Sequence, residues 1–216
     1  MNLAEKLKSI SAAGSKQIPE DKIKIMGRST ENLRASGILN SAIKVGDRLP
    51  SFNLPNQNGD NVQSSDLLDR GPLVLTVFRG NWWPYCNAEL YALQEVLKEI
   101  HDLGANLVAI SPQLTALNAA MVDKQALEFD ILSDSKGEFT GSLNINFDLP
   151  ADLQEVYSGF GIDLPASSGE SRWALPMPAR IVVGADGVVH ATDIDPDYTV
   201  RPEASKTIAD LKALNG

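Results

Sequence analysis

Cys86 is the only cysteine in the sequence, and it stands in the stretch Phe78-Arg79-Gly80-Asn81-Trp82-Trp83-Pro84-Tyr85-Cys86-Asn87-Ala88-Glu89-Leu90. Trp83 lies three residues before it, where a Cys-x-x-Cys redox motif would carry its other thiol. A thiolate is a strong nucleophile, and a helix N-terminus stabilises it with free backbone N–H groups and a positive dipole end. Pro84 suits the first turn of such a helix because its missing N–H is not needed there. Arg79, just upstream, offers a cationic charge. Two readings follow: Cys86 is a working nucleophile, or it is what remains of a lost site. A buried cysteine acting only as a small hydrophobe is the plainer alternative.

Other chemistry is thinly supplied. One cysteine excludes an intramolecular disulfide, dithiol exchange and any cysteine-based zinc cage. His101 falls late in a polar helix and His190 in a strand, so neither reads as a base or a metal ligand. Asp193, Asp195 and Asp197 are close in sequence but lack an EF-hand pattern and read as a turn leading to a helix. No metal and no cofactor are expected.

The elements that must position Cys86 follow from hydrophobic periodicity. Residues 73–78 form an apolar strand, and Leu90, Leu93, Leu97 and Ile100 place a helix over residues 87–103, ended by Gly104. A second buried strand covers 106–111, a helix runs from Thr115 to Lys124 with Thr115 as its N-cap, and a third strand covers 129–134. Strands separated by helices imply right-handed βαβ units and parallel pairing. After a Gly- and Pro-interrupted insertion at 141–170, two apolar strands flank Gly184-Ala185-Asp186-Gly187 and form a hairpin, which makes the sheet mixed. Pro202 and Glu203 open a last helix. Upstream, Asn58-Gly59-Asp60 marks a hairpin turn.

Residues 1–43 read as a helical extension, with Leu3, Leu7 and Ile10 on one stripe and a second helix starting at Pro19-Glu20-Asp21. It packs either on the main domain, residues 44–216, or on another subunit, so a homodimer is among the expected assemblies. A net charge of -9 argues against nucleic acid, which demands a basic face. No apolar run is long enough to span a membrane. Glu5, Lys6 and Lys8 interrupt the apolar core that a signal peptide needs, so the expected location is the cytoplasm.

Taken together, the segments from Arg79 to Leu90, from Pro176 to Ala179 and from Asp195 to Glu203 (Asp-Pro-Asp-Tyr-Thr-Val-Arg-Pro-Glu) resemble the peroxiredoxin-like group of the alkyl hydroperoxide reductase and thiol-specific antioxidant (AhpC/TSA) family. The resemblance runs in order over roughly residues 40–213. It implies an α/β thioredoxin-like fold, a mixed central sheet flanked by helices, with the N-terminal helical extension added. It also implies a peroxidase that reduces hydrogen peroxide or organic hydroperoxides through Cys86, with an external thiol (thioredoxin, glutaredoxin or glutathione) as reductant.

The departures from the family pattern fall at the site itself. By the resemblance, Trp83 takes the position where peroxiredoxins place threonine or serine, and where the peroxiredoxin-like group places the first cysteine of Cys-Pro-Tyr-Cys. Pro178 takes the place of the peroxide-orienting arginine and, by resemblance to thioredoxins, is expected after a cis bond from Met177. Arg180, two residues on and on the same strand face, and Arg201 are the replacement candidates, beside Arg79, for stabilising the thiolate or the peroxide. Trp83, Pro84, Tyr85 and Pro178 would form the pocket. Read as thioredoxin-like, Cys86 is the shielded second thiol; read as peroxiredoxin-like, it is the nucleophile. Trp83 leaves both open, with a catalytically degenerate binding or structural protein as the alternative.

Overall fold

The computed structural model describes residues 2–214. Helical spacing near the N-terminus becomes α1 (Leu3–Gln17), α2 (Glu20–Ala35) and the short α3 (Ile38–Ser41). Asn2 and Glu5 close a reciprocal capping box at the start of α1, and Pro19 with acidic Glu20 and Asp21 begins α2. Leu3, Leu7 and Met26 are buried in the same core that covers the central sheet. The N-terminal helices therefore complete the core of the main domain.

The Asn58-Gly59-Asp60 turn joins β1 (Asn53–Pro55) to β2 (Asn61–Gln63), and α4 (Ser64–Leu68) leads into β3 (Leu73–Val77). Two βα units follow: α5 (Pro84–Asp102), β4 (Asn106–Ser111), α6 (Thr115–Gln125) and β5 (Asp130–Ser133). Leu114, not Thr115, is the N-cap of α6, and no side chain caps that end. The stretch read as an insertion is structured, and α7 (Glu138–Ser142) runs into its start. It holds β6 (Asn146–Asp148), α8 (Ala151–Gly159) and α9 (Leu164–Ser168), and β7 (Ala174–Pro176) then pairs with β6. The predicted hairpin is β8 (Ala179–Val183) and β9 (Val189–Ile194), and α10 (Ala204–Leu214) is the last described element.

The main sheet has the order β5-β4-β3-β8-β9, with β3, β4 and β5 parallel and β8 and β9 antiparallel to their neighbours. Alternation along β3 sorts its side chains between two layers. Leu73, Leu75 and Val77 face one core with Phe139, Leu143 and Ile181. Val74 and Phe78 face the other, beneath Leu90, Leu93, Leu97 and Ile100 of α5. Thr76 shares that second face and pairs in register with Arg180 of β8. Two polar side chains thus lie side by side in an otherwise apolar layer, under the first turns of α5.

Where α5 ends, the turn back to β4 passes close to the entry of β3. Gly71 holds φ +140°, and a Cβ there would fall 2.2 Å from the Gly104 carbonyl oxygen. Gly71→Ala is expected to cost about 2 kcal/mol in urea unfolding, from backbone strain and the clash together. A loss below about 0.5 kcal/mol would show that this close approach relaxes freely. Among the described residues no helix is long and apolar enough to cross a membrane.

Candidate active site around Cys86

Trp83 is the N-cap of α5 and Pro84 its first residue, so Cys86 sits in the first turn, as its spacing predicts. The Cys86 N–H donates to the Trp83 carbonyl (3.1 Å), so this amide is engaged within the turn. Cys86 is fully buried, with 0% exposure. Pro84, expected in the pocket, is exposed, while Trp83 and Tyr85 are buried.

One helical turn after the thiol, on the same buried stripe as Leu90 and Leu93, stands Glu89, 1% exposed. Periodicity marks the apolar residues of this stripe and assigns Glu89 no role. The available signal was its spacing, since i and i+3 share a helix face and Cys86 heads the apolar stripe. Arg180 Nη2 donates to Glu89 Oε1 (2.6 Å) and Arg201 Nε to Glu89 Oε2 (2.6 Å), so each carboxylate oxygen holds one guanidinium. The Thr76 hydroxyl adds a longer bond to Oε1 (3.4 Å), and Arg180 Nη1 donates to Thr207 Oγ1 of α10 (2.6 Å).

Of the three candidate arginines, the structure brings Arg201 to the thiol. Its Nη2 lies 3.8 Å from Cys86 Sγ, within hydrogen-bond reach for sulfur. Nη1 of Arg201 is anchored on the Tyr198 carbonyl (2.5 Å) and the Val200 carbonyl (2.7 Å), so the loop before α10 fixes the whole fork. Burial opposes the charge of Arg201, but Glu89 and the thiol outweigh it, and its pKa is raised. Arg180 points to Glu89 and Thr207 instead, and its Nε has no partner. Arg79 is buried between the Phe147 and Tyr198 rings, its guanidinium carbon 5.2 Å from each centroid, with Nε donating to the Pro176 carbonyl (3.4 Å). Burial lowers its pKa, and the charge of Arg201 adds to that. Two guanidiniums, those of Arg180 and Arg201, share the single Glu89 carboxylate, and Arg79 is buried nearby without a carboxylate partner. Positive charge thus exceeds negative around the thiol, a field that favours an anion developing on sulfur.

Pro178 is buried beside Arg180, but the bond before it is trans: no cis peptide occurs among the described residues. The cis Met177–Pro178 bond expected by resemblance is therefore corrected. Arg180 pairs in register with Thr76 and Ala179 with Val77, so β8 runs straight into the sheet after Pro178. The acidic residues behave as turn formers: Asp195 accepts from the Asp197 N–H, Asp197 from the Thr199 N–H and hydroxyl, and Asp193 from Lys206.

Trp83 belongs to an aromatic cluster in front of the thiol. Its ring lies 5.1 Å from Tyr198, 5.9 Å from Tyr157 and 6.0 Å from Tyr85, centroid to centroid. Burial raises the pKa of all three phenols, so they stay neutral hydrogen-bonding groups. An amide network pins the loop that carries Trp83. Gln113 Oε1 accepts from the Asn81 N–H (2.7 Å), Asn87 Nδ2 donates to the Asn81 and Trp83 carbonyls (2.9 and 3.1 Å), and Gln125 Nε2 donates to Asn87 Oδ1 (2.8 Å).

Known proteins share this arrangement of elements. The solved peroxidoxin BcpB of Mycobacterium tuberculosis superposes over 81% of this chain and 99% of its own, with TM-score 0.63 and 23% identity. A mutant of peroxiredoxin 6 from Arenicola marina gives TM-score 0.64 over 80% of this chain and 74% of its own, at 17% identity. The fold is accordingly thioredoxin-like, with helices on both faces of a mixed sheet. In sequence, a Mycobacterium tuberculosis protein assigned as a peroxiredoxin is 28% identical over 114 residues, 53% of this chain and 74% of the relative. Peroxiredoxin Bcp of Escherichia coli is 30% identical over 93 residues, 43% of this chain and 58% of that protein. The sequence profile described as the AhpC/TSA family matches residues 45–192, from the approach to β1 into β9 and across the strand–turn–helix that carries Cys86. With more than half of its residues matched, the chain belongs to the AhpC/TSA family.

Proposed function

We propose that the protein is a thiol-dependent peroxidase that uses Cys86 alone and takes its electrons from an external thiol such as thioredoxin, glutaredoxin or glutathione. Family membership supports the reaction class, and the observation that carries the reading is the contact of Arg201 Nη2 with Sγ at 3.8 Å, braced by Glu89. In the reaction the Cys86 thiolate attacks one oxygen of ROOH, forming the S–O bond as the O–O bond breaks. The departing alkoxide takes a proton and leaves as ROH, or as water from hydrogen peroxide, while sulfur becomes the sulfenic acid. An external thiol then displaces water to give a mixed disulfide, and a second thiol restores Cys86. Arg201 stabilises the sulfur anion and, from the same fork, the developing charge on oxygen.

Full burial of Cys86 requires the elements in front of it to move as peroxide enters, and Trp83 and Tyr85 are the buried aromatics just before it in sequence. That same burial favours a second reading, in which Trp83 seals a degenerate site that serves binding or structure. Stopped-flow oxidation by hydrogen peroxide separates them, with Cys86→Ser as the control. The peroxidase should react at least about a hundred times faster than free cysteine. A rate no better than free cysteine, with Cys86 resistant to alkylation in the native state, would favour the sealed site instead.

A further inference from the structure

We propose that a cleft between the N-terminal helices and the aromatic cluster binds the uncharged apolar part of an organic hydroperoxide, a group of about six or more carbons, and so sets the substrate preference of this protein; the inference rests on the peroxidase reading of Cys86. The cleft measures about 640 Å³, the size of a small-molecule site. Ile10 of α1, Ile18 just after it, Met26 of α2 and Phe160 after α8 form its walls, and Trp83 and Tyr198 form its floor. No charged residue lines it, although 22% of the chain is charged. A charged ligand would lose its hydration there without gaining a partner, whereas an alkyl or aryl group gains contact. The Trp83 indole N–H is buried without an acceptor, and a hydroperoxide lying over this floor brings one. The floor is also the cluster in front of the thiol: Trp83 and Tyr85 lie three and one residues before Cys86, and Tyr198 holds Arg201 through its carbonyl. Cys86 lies behind this floor and does not line the cleft. A group seated there brings its peroxide end to the sulfur as the aromatic side chains in front of the thiol move aside, and the product released is the matching alcohol.

The α1 and α2 walls precede residue 45, outside the region that matches the family. Gly14, on α1, also lines it, and a Cβ there would meet only Ile18 Cδ1 at 3.8 Å. Gly14→Leu therefore fills the cleft while raising helix propensity. With the full chain, kcat/KM for cumene hydroperoxide is expected to exceed that for hydrogen peroxide at least tenfold, and Gly14→Leu to reduce that ratio about tenfold or more. In a Cys86→Ser background, 2-phenyl-2-propanol, the alcohol product, should change the fluorescence of Trp82 and Trp83, with a Kd raised at least tenfold by Gly14→Leu. Equal ratios in the two proteins, or alcohol binding untouched by the leucine, would overturn the cleft assignment and leave the peroxidase reading standing. Failure of both peroxides to oxidise Cys86 would remove the peroxidase reading and the substrate assignment with it.

Discussion

Glu89→Ala is expected to lower the unfolding free energy by about 3–5 kcal/mol, because it strands two buried guanidiniums at once. Glu89, Arg180 and Arg201 are 1%, 1% and 9% exposed, so the stranded guanidiniums are largely shielded from solvent. In a chain of this length such a loss corresponds to a fall in melting temperature of roughly 6–20 °C. Glu89→Gln keeps the shape and one acceptor oxygen and should cost less. Replacing all three residues together, as Glu89→Leu with Arg180→Met and Arg201→Met, should recover much of the loss, because neither guanidinium that Glu89 held is left stranded. Equilibrium urea unfolding by circular dichroism measures each variant. A change under about 1 kcal/mol for Glu89→Ala would mean that the arginines find other partners or water, and the clamp would lose its structural meaning.

Much of the scaffold around this clamp was legible because local pattern and tertiary role agree. The apolar run at 73–78, the stripe at Leu90, Leu93, Leu97 and Ile100, and the Asp-Gly turn at 186–187 each fix an element whose burial the fold then uses. Cys86 could be placed at a helix start from Pro84 and the spacing alone. Glu89 was not legible, since a carboxylate among helix charges looks solvated until the sheet supplies Arg180 and the loop before α10 supplies Arg201, 91 and 112 residues away. Choosing among three arginines needed the third dimension for the same reason. Strand alternation put Arg180 on the correct face, yet its Nη1 and Nη2 go to Thr207 and Glu89, and Arg201 alone reaches the sulfur. The cleft was hidden because its walls come from α1, α2 and the residues after α8, each unremarkable on its own stripe.

Arg201→Met is expected to reduce kcat/KM for peroxide by about 10²–10³, the usual cost of removing one preorganised donor from a developing charge. The difficulty is that Arg201 also braces Glu89, so its loss damages the fold as well as the chemistry. Arg180→Met is the matched comparison. Both arginines donate to Glu89 at 2.6 Å and both are buried, so the two variants should lose similar stability. Only Arg201 touches Sγ. Measured below the temperature at which either variant begins to unfold, Arg180→Met should retain rates within about tenfold of the parent while Arg201→Met falls far beneath it. Equal losses in the two variants would assign Arg201 to scaffolding alone, and the sulfur would then depend on the helix terminus and on the diffuse charge of Arg79. A large gap at equal stability would instead identify the 3.8 Å contact as the feature that makes this lone thiol reactive.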